Sequence, residues 1–449
     1  MDYKGKKVLV AGAARSGVAS AALLKGLGAA VTLTDLKKET EIKLDKTELD
    51  GVALYLGEPA ENIVKNFDFI VVSPGIPLTA PIFLSARETN IPVIGEIELA
   101  YSVCKGKVAA VTGTNGKTTT TALLGEILAA EYSGSVTVGN IGVPFAEKAA
   151  GISEDAYAAL EVSSFQLETI HSFSPHVAAI LNVTPDHLDR HGNVENYALV
   201  KSRIFENQTK EDFAVINYDD LICREMAVGL PAKVVFFSRR EILSEGFYAE
   251  NGGVFHSEGG KKELILPVSD IKIPGVHNLE NVLAAAAVAY QCGVSIETIR
   301  KTVAGFSGVP HRIELVRELD GVKYYNDSKA TNVDSALKAI DALSAPLLVI
   351  AGGRDKNLDF VPFAKALIGR ARKLVLIGEA AGKIKDACDY AGFSEVLFAE
   401  NMQIAVHLCR ENAREGDVVL LSPACASFDM FTGYEQRGDV FRQTVSDLK

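Results

Sequence analysis

Short apolar runs alternate with helical stretches for most of the chain's 449 residues, the pattern of parallel sheets wrapped by helices. "KKVLVAG", "AAVTLTD" and "FDFIVVSPG" read as strands of a first unit, and the proline-marked stretch "NIPVIGEIELAYSVCKGK" leads out of it. A second unit holds "VAAVTG", "AALEVSS", "VAAILNVTP", "FAVINYDD" and "AKVVFFS". It continues through a glycine- and charge-rich hairpin region near "AENGGVFHSEGGKKELILP" into the long helix "NLENVLAAAAVAYQCG". A third begins after "FSGVPHR", with strands "PLLVIAGG", "KLVLIGE" and "DVVLLSP". The expected class is α/β, with three domains at 1–97, 98–308 and 309–449, each a mostly parallel sheet with flanking helices. Length alone points to two or three cores.

Two of the strand-to-helix turns are glycine loops. In the first, Gly12-Ala-Ala-Arg-Ser-Gly17 follows a strand and opens a helix, and Asp35 ends the next strand. That is the dinucleotide-binding layout, except that Ala14 stands where the middle glycine normally lets the backbone approach a pyrophosphate. Arg15 and Ser16 can meet a phosphate or a base edge; a tight turn with a capping serine is the bland alternative. Ser73-Pro-Gly75 ends a strand on the same carboxyl edge, where ligands settle in open α/β sheets. A nucleotide end is expected to dock here, without hydride chemistry.

The second loop lies in "VTGTNGKTT" and resembles Gly-x-x-x-x-Gly-Lys-Ser/Thr, with Val111 in the leading glycine's place. Gly113, Thr114, Asn115, Gly116, Lys117, Thr118 and Thr119 remain between a strand and a helix. Backbone amides and the helix dipole there suit bridging phosphates. Lys117 can reach a terminal phosphate and the Thr118 hydroxyl can ligate Mg²⁺. Such a loop needs an acid for its metal, and Glu161 directly follows the apolar run "AYAAL". His187, just past "VAAIL", leaves the same sheet edge and offers a second metal or phosphate contact. Lys201 in "YALVKSRIFEN" reads, on its own, as a surface lysine.

Composition narrows the classes. A net charge of −11 speaks against nucleic acid or anionic membrane as a bulk partner. Six scattered cysteines without a Cys-x-x-Cys pair fit a reducing cytosol and no zinc cluster. The longest apolar run, around "NVLAAAAVAY", is about half a membrane span. The N-terminal apolar stretch runs straight into a glycine loop, as a folded strand does and a signal peptide does not.

With those residues assembled, the chain resembles the Mur ligases, ATP-dependent amide-forming enzymes of bacterial peptidoglycan precursor assembly. The likeness spans essentially the whole chain, through "GTNGKTT", "EVSSFQLE", "LNVTPDHLDRH", "YALVKSR", "HNLENVLAA", "PHR", "NDSKATN" and "LSPACASFDMFTGYEQRG". "NDSKATN" and "SPACASFD" resemble the branch that adds D-glutamate to UDP-N-acetylmuramoyl-L-alanine. The resemblance implies a Rossmann-like N-terminal domain for the UDP substrate, a P-loop ATPase-like centre and a Rossmann-like C-terminal domain for the amino acid. It places Arg15, Ser16 and Asp35, with Ser73 and Gly75 nearby, at the uridine diphosphate, and Asn140 and His187 beside the substrate's phosphates and reacting carboxylate. Lys201 would be carbamylated and bind metal with Thr118, Glu161 and His187, the cofactors being ATP and two Mg²⁺. Asn281, Arg312 and Asp327 would join the P-loop around ATP, and Lys329, Thr331, Lys356, Ser427 and Tyr434 would hold D-glutamate. Lys117, Glu161, His187, Lys201 and Arg312 carry the expected catalysis. A cytoplasmic monomer acting on small molecules, without nucleic acid or membrane insertion, completes the expectation. A nicotinamide dehydrogenase, a regulatory P-loop switch, another Mur-type ligase and a folylpolyglutamate-type ligase are the alternatives.

Overall fold

A computed structural model describes residues 2–42, 44, 47–355 and 358–449, and at 189 the backbone only. The chain divides into two compact units: Met1–Asp270 with Leu279–Gly305, and Ile271–Asn278 with Phe306–Lys449. Two sheets belong to the first unit and one to the second.

The N-terminal sheet comprises β1 (Lys7–Ala11), β2 (Ala30–Asp35), β3 (Ala53–Leu56), β4 (Phe69–Val72) and β5 (Val93–Gly95), in the order β3-β2-β1-β4-β5. All its pairings are parallel. Both faces of β1 and β4 are covered, which is why they read as unbroken apolar runs. Chain order reverses at β1, so the loops after β1 and β4 open onto one crevice. Strands β3 and β5 escape the sequence pattern because one is only partly buried and the other is three residues long.

The second sheet is built from β6 (Lys107–Thr112), β7 (Val136–Gly139), β8 (Tyr157–Glu161), β9 (Val177–Ile180), β10 (Phe213–Asn217), β11 (Lys233–Ser238), β12 (Gly246–Glu250), β13 (Gly253–Glu258) and β14 (Lys261–Pro267). Its order is β14-β13-β12-β11-β10-β9-β6-β8-β7. The expected hairpin region forms the antiparallel β12-β13-β14 edge, and every other pairing is parallel. The second unit holds β15 (Glu314–Leu319), β16 (Val322–Asn326), β17 (Leu347–Gly352), β18 (Ala371–Ile377), β19 (Val396–Phe398) and β20 (Val418–Leu421), ordered β15-β16-β20-β17-β18-β19. Only β15–β16 is antiparallel there. Among the described residues no helix is long and apolar enough to cross a membrane.

The stretch leading out of the first sheet is more than a linker. It supplies β5 and the helix Glu96–Tyr101, which buries two carboxylates. Glu98 accepts the backbone N–H groups of His171, Ser172 and Phe173 at 2.9, 2.8 and 3.0 Å. Glu96 Oε1 accepts the amide of Ala146 at 2.7 Å, while its buried Oε2 has no partner. Burial pushes the Glu96 carboxyl up to about 7, against the lowering effect of the Ala146 amide.

An unfolded glutamate loses its proton near 4.5, whereas folded Glu96 keeps it up to about 7, so Glu96 lowers stability as pH rises through that window. Glu96→Gln retains the acceptor for Ala146 and is expected to flatten this fall. Thermal melts across the same window check it, and a slope identical to wild type contradicts it.

Candidate active site

Strands β8, β6 and β9 end side by side, with Val111 of β6 paired to Glu161 on one flank and Ala179 on the other. Val111 is therefore a fully buried sheet residue, and the loop proper begins at Gly113. Gly113 and Gly116 adopt φ of 152° and 86°. A Cβ at 116 would lie 2.2 Å from Asn281 Oδ1, so the turn needs glycine twice over. Asn281 also accepts from the Thr120 hydroxyl at 3.2 Å, which fixes it against the first turn of the helix Lys117–Glu131.

The loop is pinned to the segment after β9. Thr114 N donates to Asn182 O and Asn115 N to Asn182 Oδ1, both at 2.9 Å, and Asn182 Nδ2 returns a bond to Asn115 O at 3.1 Å. The Thr114 hydroxyl donates to Thr184 O at 3.2 Å. Lys117 Nζ donates to the carbonyls of Gly113 and Thr114 at 3.0 and 2.9 Å. Thr118 and Thr119 are buried in the first helical turn, whose amides and dipole favour an anion.

Glu161 closes β8 at 2% exposure. Asn140 Nδ2 donates to its Oε1 at 2.8 Å, and the Asn140 amide donates to its carbonyl at 2.9 Å. Its Oε2 is buried without a partner, an acceptor suited to a cation. No group of three His, Cys, Asp or Glu among the described residues forms a metal cage. One carboxylate, the Thr118 hydroxyl and phosphate oxygens are what Mg²⁺ ordinarily takes beside an oxygen-rich nucleotide, so the donor set fits that ion.

Lys201 departs furthest from its sequence reading. It is 1% exposed, on the inner face of the helix Val194–Ser202, with its Nζ 2.7 Å from Gly113 O and 4.6 Å from the Tyr197 ring centroid. Desolvation, followed by the charge of Lys117, holds its amine well below the ordinary 10.5. His187, by contrast, is exposed at a φ of 51°, 3.5 Å from Asp186 and edge-on to Phe165 with centroids 4.8 Å apart. Three residues on, Arg190 pairs with Glu168, lies 4.2 Å over Phe165 and donates to Pro74 O at 3.1 Å, tying His187's segment to the end of β4.

At the N-terminal sheet, a cleft of about 990 Å³ is lined by Ala14, Arg15, Asp35, Lys37, Gly142 and Pro144 among others. Arg15 Nη1 donates to Gly142 O at 3.2 Å. The Asp35 oxygens accept the amides of Ala13 and Lys37, each at 2.9 Å, so this side chain shapes the cleft's rim. Ser16 lies half-buried at the head of the helix Arg15–Gly26. Buried Ser73 donates to Gly12 O at 3.2 Å, while Gly75 stays exposed.

In the second unit, Asp327 accepts from Ile313 N at 3.2 Å and the Ser422 hydroxyl at 2.9 Å, and burial pushes its carboxyl up to about 7. Half-buried Arg312 lies one residue before Ile313, whose φ of 44° is rare for a β-branched residue. Lys329 Nζ sits 5.7 Å over the Tyr434 ring, Thr331 N donates to Lys329 O at 2.9 Å, and Ser427 is 2% exposed. Lys356 lies outside the described residues.

Three family profiles divide the chain between them: a MurD-like N-terminal domain at 6–95, a Mur ligase middle domain at 111–289 and a Mur ligase glutamate ligase domain at 311–425. A protein of Thermoanaerobacter sp. (strain X514), named UDP-N-acetylmuramoylalanine–D-glutamate ligase, is 45% identical with both chains covered in full. The chain belongs to the Mur ligase family. A relative of the same name from Koribacter versatilis is 46% identical, covering 100% of this chain and 99% of its own. The Mur ligase fold recurs in the UDP-N-acetylmuramate–alanine ligase of Thermotoga maritima, with a TM-score of 0.62 at 21% identity over 98% of this chain and 100% of that one.

The motif reading of this Mur ligase passed over Asn182, Thr184 and Tyr197. All lie inside or beside quoted motifs, yet their roles are contacts to the loop from distant positions, which spacing does not reveal. The buried amine of Lys201 yields a prediction. Since burial holds the folded amine's pKa below the unfolded lysine's 10.5, the residue opposes folding below that pH, and its cost fades as pH approaches 10.5. Lys201→Met is expected to raise the melting temperature in carbon-dioxide-free buffer, most at low pH, while abolishing activity. An equal or lower melting temperature at neutral pH contradicts it.

Proposed function

We propose that this Mur ligase is an ATP-dependent enzyme that joins D-glutamate to UDP-N-acetylmuramoyl-L-alanine, the reaction for which its full-length relatives are named, in peptidoglycan precursor synthesis. The observation that carries the reading is the P-loop set against Glu161, whose unsatisfied buried oxygen waits beside a phosphate cradle. The domains are 1–97 for the UDP substrate, 98–308 for ATP and 309–449 for the amino acid. The enzyme works as a cytoplasmic monomer on small molecules, without nucleic acid.

A carboxylate is a poor acyl donor. The substrate's alanyl carboxylate attacks the γ-phosphorus of ATP, forming an acyl phosphate and ADP. The D-glutamate amine then attacks the acyl carbon, loses a proton and expels phosphate. Gly113 to Thr119, with Asn281, Arg312 and Asp327, bind ATP, and Lys117 leaves its carbonyl partners to meet the phosphates. Arg15, Ser16, Asp35, Ser73 and Gly75 hold the uridine diphosphate end, and Asn140 and His187 orient the reacting carboxylate. Lys329, Thr331, Lys356, Ser427 and Tyr434 provide cations and hydroxyls for a dicarboxylate. Two Mg²⁺ would be held by Thr118, Glu161, His187 and Lys201 as its carbamate, and when bound they neutralise charge on the phosphoryl oxygens. A neutral, desolvated amine is the form that adds carbon dioxide, and the carbamate keeps one N–H for Gly113 O.

Lys117→Ala is expected to lower phosphate release with all three substrates by at least ~10²-fold. Near-normal turnover would remove the P-loop from the chemistry. Lys201→Ala is expected to lose activity that added formate or acetate partly restores; an absence of any rescue contradicts the carbamate. Phosphate release across a panel of D- and L-amino acids tests the substrate, and turnover with a folate in place of the UDP substrate would reassign the enzyme.

A further inference from the structure

Arg437 is the largest fully buried side chain of the second unit, at 0% exposure on the helix Tyr434–Asp447. Its hydrogen-bond partners among the described residues include no carboxylate. Nε donates to Ser328 Oγ at 3.0 Å, Nη2 to Ser328 O at 2.7 Å and Nη1 to Cys425 O at 3.0 Å. The Ser328 hydroxyl in turn donates to Tyr434 O at 2.8 Å. A Cβ on Gly353 would lie 3.2 Å from Nη1, and neighbouring Arg354 N donates to Ala426 O at 2.8 Å. Burial lowers the guanidinium to about 10, so it stays charged at neutral pH.

One cation thus gathers four chain segments. Ser328 sits between Asp327 and Lys329, Cys425 lies two residues before Ser427, Gly353 precedes the stretch to Lys356, and Tyr434 begins Arg437's own helix. A guanidinium satisfied by carbonyls costs desolvation that an apolar side chain of similar volume would not. Its five donors in a rigid plane fix carbonyl directions in a way no apolar residue can. We propose that Arg437 is the positioning residue of the amino-acid pocket, its guanidinium setting the register of the segments that carry Lys329, Thr331, Ser427 and Tyr434. The inference rests on the D-glutamate reading, and it makes Arg437 a determinant of amino-acid affinity beyond any part it has in stability.

The test uses the full-length enzyme and three variants: Arg437→Lys, Arg437→Met and Ser328→Ala. Phosphate release is measured against D-glutamate with ATP and UDP-N-acetylmuramoyl-L-alanine saturating, then against the UDP substrate. Arg437→Met, which leaves the Ser328 and Cys425 carbonyls without their donor, is expected to lower the melting temperature and to raise KM for D-glutamate roughly 10- to 100-fold. KM for the UDP substrate stays within about twofold and kcat falls less than KM rises. Arg437→Lys recovers part of the affinity, and Ser328→Ala, which keeps two of the three bonds, shows a smaller rise in the same direction. A D-glutamate KM within about twofold of wild type in either Arg437 variant overturns the proposal, as does a parallel rise for both substrates. If the Arg437 variants do not fold, an unchanged KM in Ser328→Ala overturns it. Wild type releasing phosphate with another amino acid but not D-glutamate would instead overturn the substrate reading.

Discussion

A lysine amine buried against a loop carbonyl is the constraint around which the central site is arranged. Gly113 O takes bonds from Lys117 at 3.0 Å and from Lys201 at 2.7 Å, so two amines converge on one oxygen away from water. Two ammonium charges at that spacing repel strongly in a desolvated pocket. The burial of Lys201 and its neighbour's charge weaken its hold on the proton. The arrangement holds only while the loop is fixed, which Asn182 and Thr184 accomplish from the end of β9. Burying an amine here costs stability and sets its nitrogen against the loop carbonyl of Gly113.

Glu161 shows the complementary choice. Asn140 satisfies one carboxylate oxygen and leaves the other buried and unpaired, an arrangement that a cation would relieve. Arg190 adds a tie to the N-terminal sheet by binding the Pro74 carbonyl while stacking on Phe165, alongside those of Glu96, Glu98 and Arg15.

The fold was legible where strand residues are buried on both faces, since β1, β4, β6, β8, β9, β17, β18 and β20 each carry an apolar run of at least four residues. It was illegible for β15, an edge strand in which Glu314, Arg317 and Glu318 break up the apolar residues, and for β5 and β19, three residues each. In the site, the P-loop could be read because its glycines and lysine are contiguous and their chemistry is local. Val111 looked like a defect in the motif and is a sheet residue paired with Glu161. Lys201 looked like a surface lysine because its burial depends on a loop 88 residues away. Arg437 stood unremarked inside a quoted motif for the same reason: its partners are set by the tertiary fold.

The most direct measurement is carbon NMR of the ligand-free enzyme equilibrated with isotope-labelled bicarbonate. The carbamate proposed for Lys201 predicts one protein-bound carbamate resonance in wild type and none in Lys201→Ala. A wild-type spectrum without that resonance, or one in which Lys201→Ala retains it, would contradict the role given to the buried amine.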